Sequence, residues 1–100
     1  MSEAPKWRLR LSEQVRIARF GDEALVFNPL SWQTHLVNDS TLQVIEALRR
    51  GSCSVVALAQ LLYGSELEGD DATQAESIVT SLLEELRLLG LCEPEVLDAH

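Results

Sequence analysis

The chain has 100 residues, a net charge of −8, 46% apolar and 24% charged residues. That is one domain with one modest core, able to bury roughly 60–65% of the surface its unfolded form exposes, in the ordinary composition range of soluble globular proteins. No apolar run approaches the ~20 residues of a membrane span, and "MSEAPKWRLRL" lacks a secretory apolar segment, so the expected compartment is the cytoplasm, with no membrane partner.

In chain order, "KWRLRL" (6–11) alternates Trp7, Leu9 and Leu11 with Lys6, Arg8 and Arg10, the period-two pattern of a half-buried strand. "VRIARF" (15–20) alternates less cleanly. "GDE" (21–23) is a tight turn, because Gly21 can adopt positive φ and Asp22 favours turn chemistry. "ALVF" (24–27) is continuously apolar, which suits a central strand. Asn28-Pro29 opens a second turn. "WQTHLV" (32–37) closes the meander, with Trp32, Thr34 and Leu36 on one face.

Three helices are expected to follow. Asn38 to Ser40 offer an N-cap for a helix carrying Leu42, Ile45 and Leu48, stopped by Gly51. Ser52 or Ser54 caps the second, whose stripe is Val55, Leu58, Ala59 and Leu62, ending at Gly64. An acidic loop leads to the third and longest helix. It is expected to start near Ala72, with Asp70, Asp71 and Thr73 as candidate caps and Ala75, Ile78, Val79, Leu82, Leu86 and Leu89 as core. Gly90 ends it, "LCEP" packs back, and residues 1–5 and 95–100 are expected to fray. Three or four short strands followed by three helices read as a single α+β domain of winged helix-turn-helix shape.

Charge is uneven. Residues 1–20 hold Lys6, Arg8, Arg10, Arg16 and Arg19 against two acids, a net +3, and the remainder holds three arginines against fourteen acids, −11. The basic segment reads either as an interaction surface or as a solvated strand face.

Catalytic patterns are missing. His35 and His100 are the only histidines, too few for a ligand set of three or four, so no metal or cofactor is expected. Cys53 and Cys92 form neither a CxxC pair nor a disulfide framework and read as packed thiols. There is no GxSxG elbow and no glycine-rich phosphate loop. Glu84 and Glu85 point ~100° apart on a helix (3.6 residues per turn), which is not the arrangement of a paired-carboxylate site. The expectation is a binding protein rather than an enzyme.

The ordered set "RFGDEALVFNPLSWQTHLVND", "TLQVIEAL", Gly51 with "SVVALAQLLY", and "SLLEELRLLGLCEP" resembles the PqqD-like family of peptide chaperones, also called RiPP recognition elements, over nearly the whole chain. Trp7-Arg8-Leu9 and Thr34-His35-Leu36 are similar to segments of its branch named for the HPr-related-A system. One position departs. PqqD proper has a Cys-Asp-Gly turn after its first helix, where this chain has Arg49-Arg50-Gly51, so the resemblance extends to the fold rather than to pyrroloquinoline quinone synthesis.

The resemblance implies a leader or precursor peptide that adds as a strand to the third strand of the sheet, against the third helix, and is presented to a modifying, kinase-like enzyme. Carried onto this sequence, the peptide contacts would be Trp32, Gln33, Thr34, His35 and Leu36 along the edge, with Val79, Leu83 and Arg87 as the helical wall. Edge-strand chemistry supports the idea independently, since unpaired N–H and C=O groups invite an extended partner, including a second copy in a weak homodimer. Two rivals remain. A winged-helix DNA-binding regulator would need cations where Glu76, Glu84 and Glu85 outnumber Arg87, so no nucleic-acid partner is expected. An adaptor could instead dock an enzyme through the basic strands without holding a peptide.

Overall fold

The computed structural model describes residues 5–95, which form an α+β fold of two small antiparallel sheets and three helices. Most of the termini expected to fray, and His100, lie outside the described residues. Glu95 does not: its N–H donates to the Lys6 carbonyl at 2.7 Å.

The first sheet has the order β5-β1-β6, from β1 (Lys6–Leu9), β5 (Cys53–Ser54) and β6 (Cys92–Pro94). Trp7 and Leu9 are buried and Arg8 points out, as the alternation requires. The expected strand to residue 11 is shorter: Leu11 takes a left-handed φ of 48° and is exposed, so the strand cannot extend through it. Partners β5 and β6, two and three residues long, are too short to carry a period-two signal; they pair because β1 supplies the edges they need.

The second sheet has the order β2-β3-β4, from β2 (Arg16–Phe20), β3 (Glu23–Asn28) and β4 (Gln33–Asn38). Gly21, at φ 60°, makes the first turn. The meander reading holds, with the apolar strand in the centre and the polar one at an edge. Ala24, Val26 and Asn28 of β3 face inward and are fully buried.

Helix α1 (Asp39–Arg50) is capped by Asn38, whose side chain accepts from the Thr41 N–H at 2.9 Å. Helix α2 (Val55–Tyr63) is capped by Ser54 rather than Ser52. Helix α3 (Gly69–Leu88) starts three residues before the expected Ala72, and its N-cap Glu68 makes no side-chain cap bond. Asp70 and Asp71 therefore lie in the first turn, where they favour the positive helix end, instead of capping it. Of the expected α3 core, Ala75, Val79 and Leu86 are buried, Leu82 partly so, while Ile78 and Leu89 are exposed and Leu83 is buried instead. Among the described residues no helix is long and apolar enough to cross a membrane.

Asn28 ties the halves together. It is the one buried polar residue among those described. Its Nδ2 donates to the Leu89 carbonyl at 2.6 Å, its Oδ1 accepts from the Leu30 N–H at 3.0 Å, and its own carbonyl accepts from the Trp32 N–H at 2.8 Å. One amide thus closes the β3–β4 turn and satisfies a carbonyl at the end of α3, which has no intrahelical donor left. Asn28→Ala should lower stability by about 1–3 kcal/mol, as expected for stranding buried polar groups, read as a reduced urea midpoint at unchanged slope.

Candidate functional site

Among the described residues no strand pairs with the outer side of β4, which lies near α3, and the two line a groove of about 450 Å³. Its strand wall is Thr34, His35, Leu36, Val37 and Asn38; Thr41 closes one end. Its helical wall is Leu82, Glu85, Leu86 and Leu89. The Asn28–Leu89 hydrogen bond sits at the junction of the two walls and fixes their spacing.

Three of the edge residues expected from sequence, Thr34, His35 and Leu36, line this groove. Gln33 starts the strand but is not on the groove wall, and Trp32 belongs to the turn, at a left-handed φ of 62° and 83% exposed. The helical wall is offset from the expected one. Val79 and Leu83 are fully buried in the core, and Arg87 is exposed with its guanidinium bonded to Glu84 at 2.8–3.0 Å. None of the three lines the groove. The wall is formed by residues one and two places away, because ~100° per residue turns Leu82, Glu85 and Leu89 toward β4 when Val79 and Leu83 point to the core.

His35 is the polar feature of the site. It pairs with Val26 across the sheet and shares the inward side of β4 with Val37. Its Nε2 is enclosed and has no hydrogen-bond partner among the described residues. A buried polar atom left without a partner is disfavoured by about 1–3 kcal/mol. Glu85 places a carboxylate on the opposite wall, between the leucines. The groove thus combines a backbone edge, three leucines on the helical wall, one imidazole and one negative charge.

The basic N-terminal strands are largely engaged within the fold. Arg8 and Arg10 both contact Glu93 of β6, at 2.6 and 3.6 Å, and Arg19 pairs with Glu46 of α1. Arg16 donates to the Glu13 carbonyl at 3.0 Å. Part of the cationic patch suggested by sequence is thus taken up within the fold, Glu93 offsetting one of two arginines and Glu46 offsetting Arg19, while Arg16 keeps its charge.

Neither cysteine is poised for chemistry. Burial, with Glu84 next, pushes the Cys92 thiol up to about 12, and its Sγ lies 3.4 Å from the Leu83 carbonyl. Burial also raises Cys53, partly offset by Arg50 and Lys6. Only the thiolate is an effective nucleophile. No family model, curated protein or solved structure matches the chain.

Native protein treated with iodoacetamide at mildly alkaline pH should leave Cys92 unmodified, and urea should expose it; peptide mass mapping reads both. Because the thiol is raised in the folded state, its contribution to stability is complete below about pH 9, the ordinary thiol value, and is lost as pH climbs toward about 12. A Cys92→Ala chain should show a flatter decline over that window.

Proposed function

We propose that the protein is a non-catalytic peptide-binding module that takes an extended peptide as an additional strand on β4 and holds it against α3 for a modifying enzyme. The observation that carries the reading is the free edge of β4 standing across a leucine-lined groove from α3. An incoming strand completes the backbone hydrogen bonds of the edge, and alternate side chains enter the groove or face solvent. Leu82, Leu86 and Leu89 offer apolar contact to the inward residues, the His35 Nε2, enclosed in the unliganded chain, offers a hydrogen bond once its ring turns toward the peptide, and Glu85 favours a cationic neighbour. Presentation to an enzyme, kinase-like or otherwise, rests on the resemblance to PqqD-like chaperones. Helix α3 carries Asp70, Asp71, Glu76, Glu84 and Glu85 with a single arginine, a poor match for phosphates. The engagement of Arg8, Arg10 and Arg19 leaves little free charge for docking through the basic strands.

The test begins with a peptide selected from a random display library on the immobilised chain, with affinity measured by calorimetry. Along β4, alternate residues use their N–H groups within the sheet, so proline at one of the sets Gln33/His35 and Thr34/Leu36 should destabilise the fold. In the other set it should leave the fold intact and weaken the peptide about tenfold, the loss of one or two net hydrogen bonds of about 0.5–1.5 kcal/mol each. Leu82→Ala and Leu89→Ala should weaken binding severalfold, and Arg87→Ala should not. His35→Leu should weaken it while holding or raising stability, because an unsatisfied buried atom is removed. Peptide binding that survives every folded edge-proline variant would sink strand addition.

A further inference from the structure

The sheet β2-β3-β4 has a second face, opposite α1. Because Ala24, Val26 and Asn28 point inward, Glu23, Leu25 and Phe27 point outward. The register places Ala18, Leu25 and Leu36 in one row across the three strands. Phe20, Glu23 and Asn38 occupy the row on one side, and Arg16, Phe27 and Thr34 the row on the other, so polar residues flank the apolar centre. Trp32 adds to the second side, its ring meeting Phe27 edge-on at 6.3 Å. Phe20 is 59% exposed and Leu36 61%. A contiguous apolar face of this kind marks an interaction surface.

Trp32 sharpens the point. A bulky residue at left-handed φ is strained, and such strain persists where a contact uses it. Here the strained residue is also the most exposed large apolar side chain among those described.

We infer that this outer sheet face is the contact between two copies of the chain, packed sheet on sheet about a two-fold axis. The argument is self-complementarity. Arg16 and Glu23 stand on opposite sides of the apolar row, and neither is in an ion pair among the described residues. An axis lying in the face, across the strands and along the Ala18–Leu25–Leu36 row, stacks that row on itself. It also sets Arg16 of each copy over Phe20 of the other, one strand away from Glu23. Each copy thereby donates a cation to an aromatic face and to a carboxylate. An unrelated partner would have no reason to require this antisymmetric placement of charge.

Area sets the strength. Three strands about 4.8 Å apart and five or six residues long present a face of about 250–300 Å² per copy. The total falls below the ~1,200–2,000 Å² of stable complexes. The dimer is therefore weak and concentration-dependent, and it leaves the edge of β4 open.

Sedimentation of the full chain from micromolar to millimolar concentration tests this without any peptide. A reversible monomer–dimer equilibrium is expected. Phe20→Glu should raise the dissociation constant tenfold or more, and Trp32→Gly should weaken the dimer while raising the melting temperature by relieving the turn. Arg16→Glu and Glu23→Arg should each weaken association severalfold, and the two together in one chain should restore it. A monomer at every concentration overturns the inference. So does a dimer that ignores Phe20→Glu and both charge reversals, which would mean pairing along a strand edge instead.

Discussion

Much of the architecture hangs on a single amide. The hairpin of β3 and β4 and the C-terminal end of α3 are separated by 61 residues of sequence, and the Asn28 side chain bonds both. Without that bond the hairpin would be held to α3 by apolar contact alone, which is non-directional and tolerates sliding. A hydrogen bond to a helix-terminal carbonyl is directional. It sets the distance between the strand edge and the leucine face, and hence the width of the groove. The position that looks like an ordinary turn residue in the sequence is the one that gives the groove its dimensions.

The two sheets divide the work. The β5-β1-β6 sheet is sealed by Trp7, Leu9 and Cys92 on its inner side and by the Arg8–Glu93–Arg10 cluster outside. The β2-β3-β4 sheet is left incomplete in two ways: β4 keeps an unpaired edge toward α3, and the outer face keeps exposed aromatics. Exposed ion pairs of this type contribute little to stability. They join β1 and the residue after it to β6, with Arg8 and Arg10 sharing the one carboxylate of Glu93.

How much of this could be read from residues alone follows from signal strength. Long periodic segments were legible: the alternation in Trp7 and Leu9, the apolar β3, and α1 and α2, whose caps were narrowed to Asn38–Ser40 and to Ser52 or Ser54 before packing chose Asn38 and Ser54. Pairing partners two or three residues long were not, since Cys53–Ser54 and Cys92–Pro94 carry no period. The face of α3 was the hardest case. Apolar residues at 75, 78, 79, 82, 83, 86 and 89 cover so wide an arc that periodicity gives a helix without saying which margin of the stripe meets solvent. A wall of Val79, Leu83 and Arg87 and one of Leu82, Glu85 and Leu89 differ by a rotation that only packing decides. Asn28 was invisible as a structural tie because Asn-Pro is such a strong turn signal by itself.

The pairing of β1 with β6 has a kinetic side. Trp7 to Leu9 pair with Cys92 to Pro94, so segments 85 residues apart in sequence must meet before either is satisfied. Closing a loop of that size adds entropy to the folding barrier, and non-local contacts of this kind slow the search. During synthesis, which proceeds from the N-terminus, Trp7 and Leu9 emerge long before the strand that covers them. The meander β2-β3-β4 and α1, built from near neighbours in sequence, can assemble meanwhile. Until Cys92 to Pro94 have emerged, the nascent chain therefore carries an unsatisfied, partly apolar β-segment, a natural point of call for a holding chaperone.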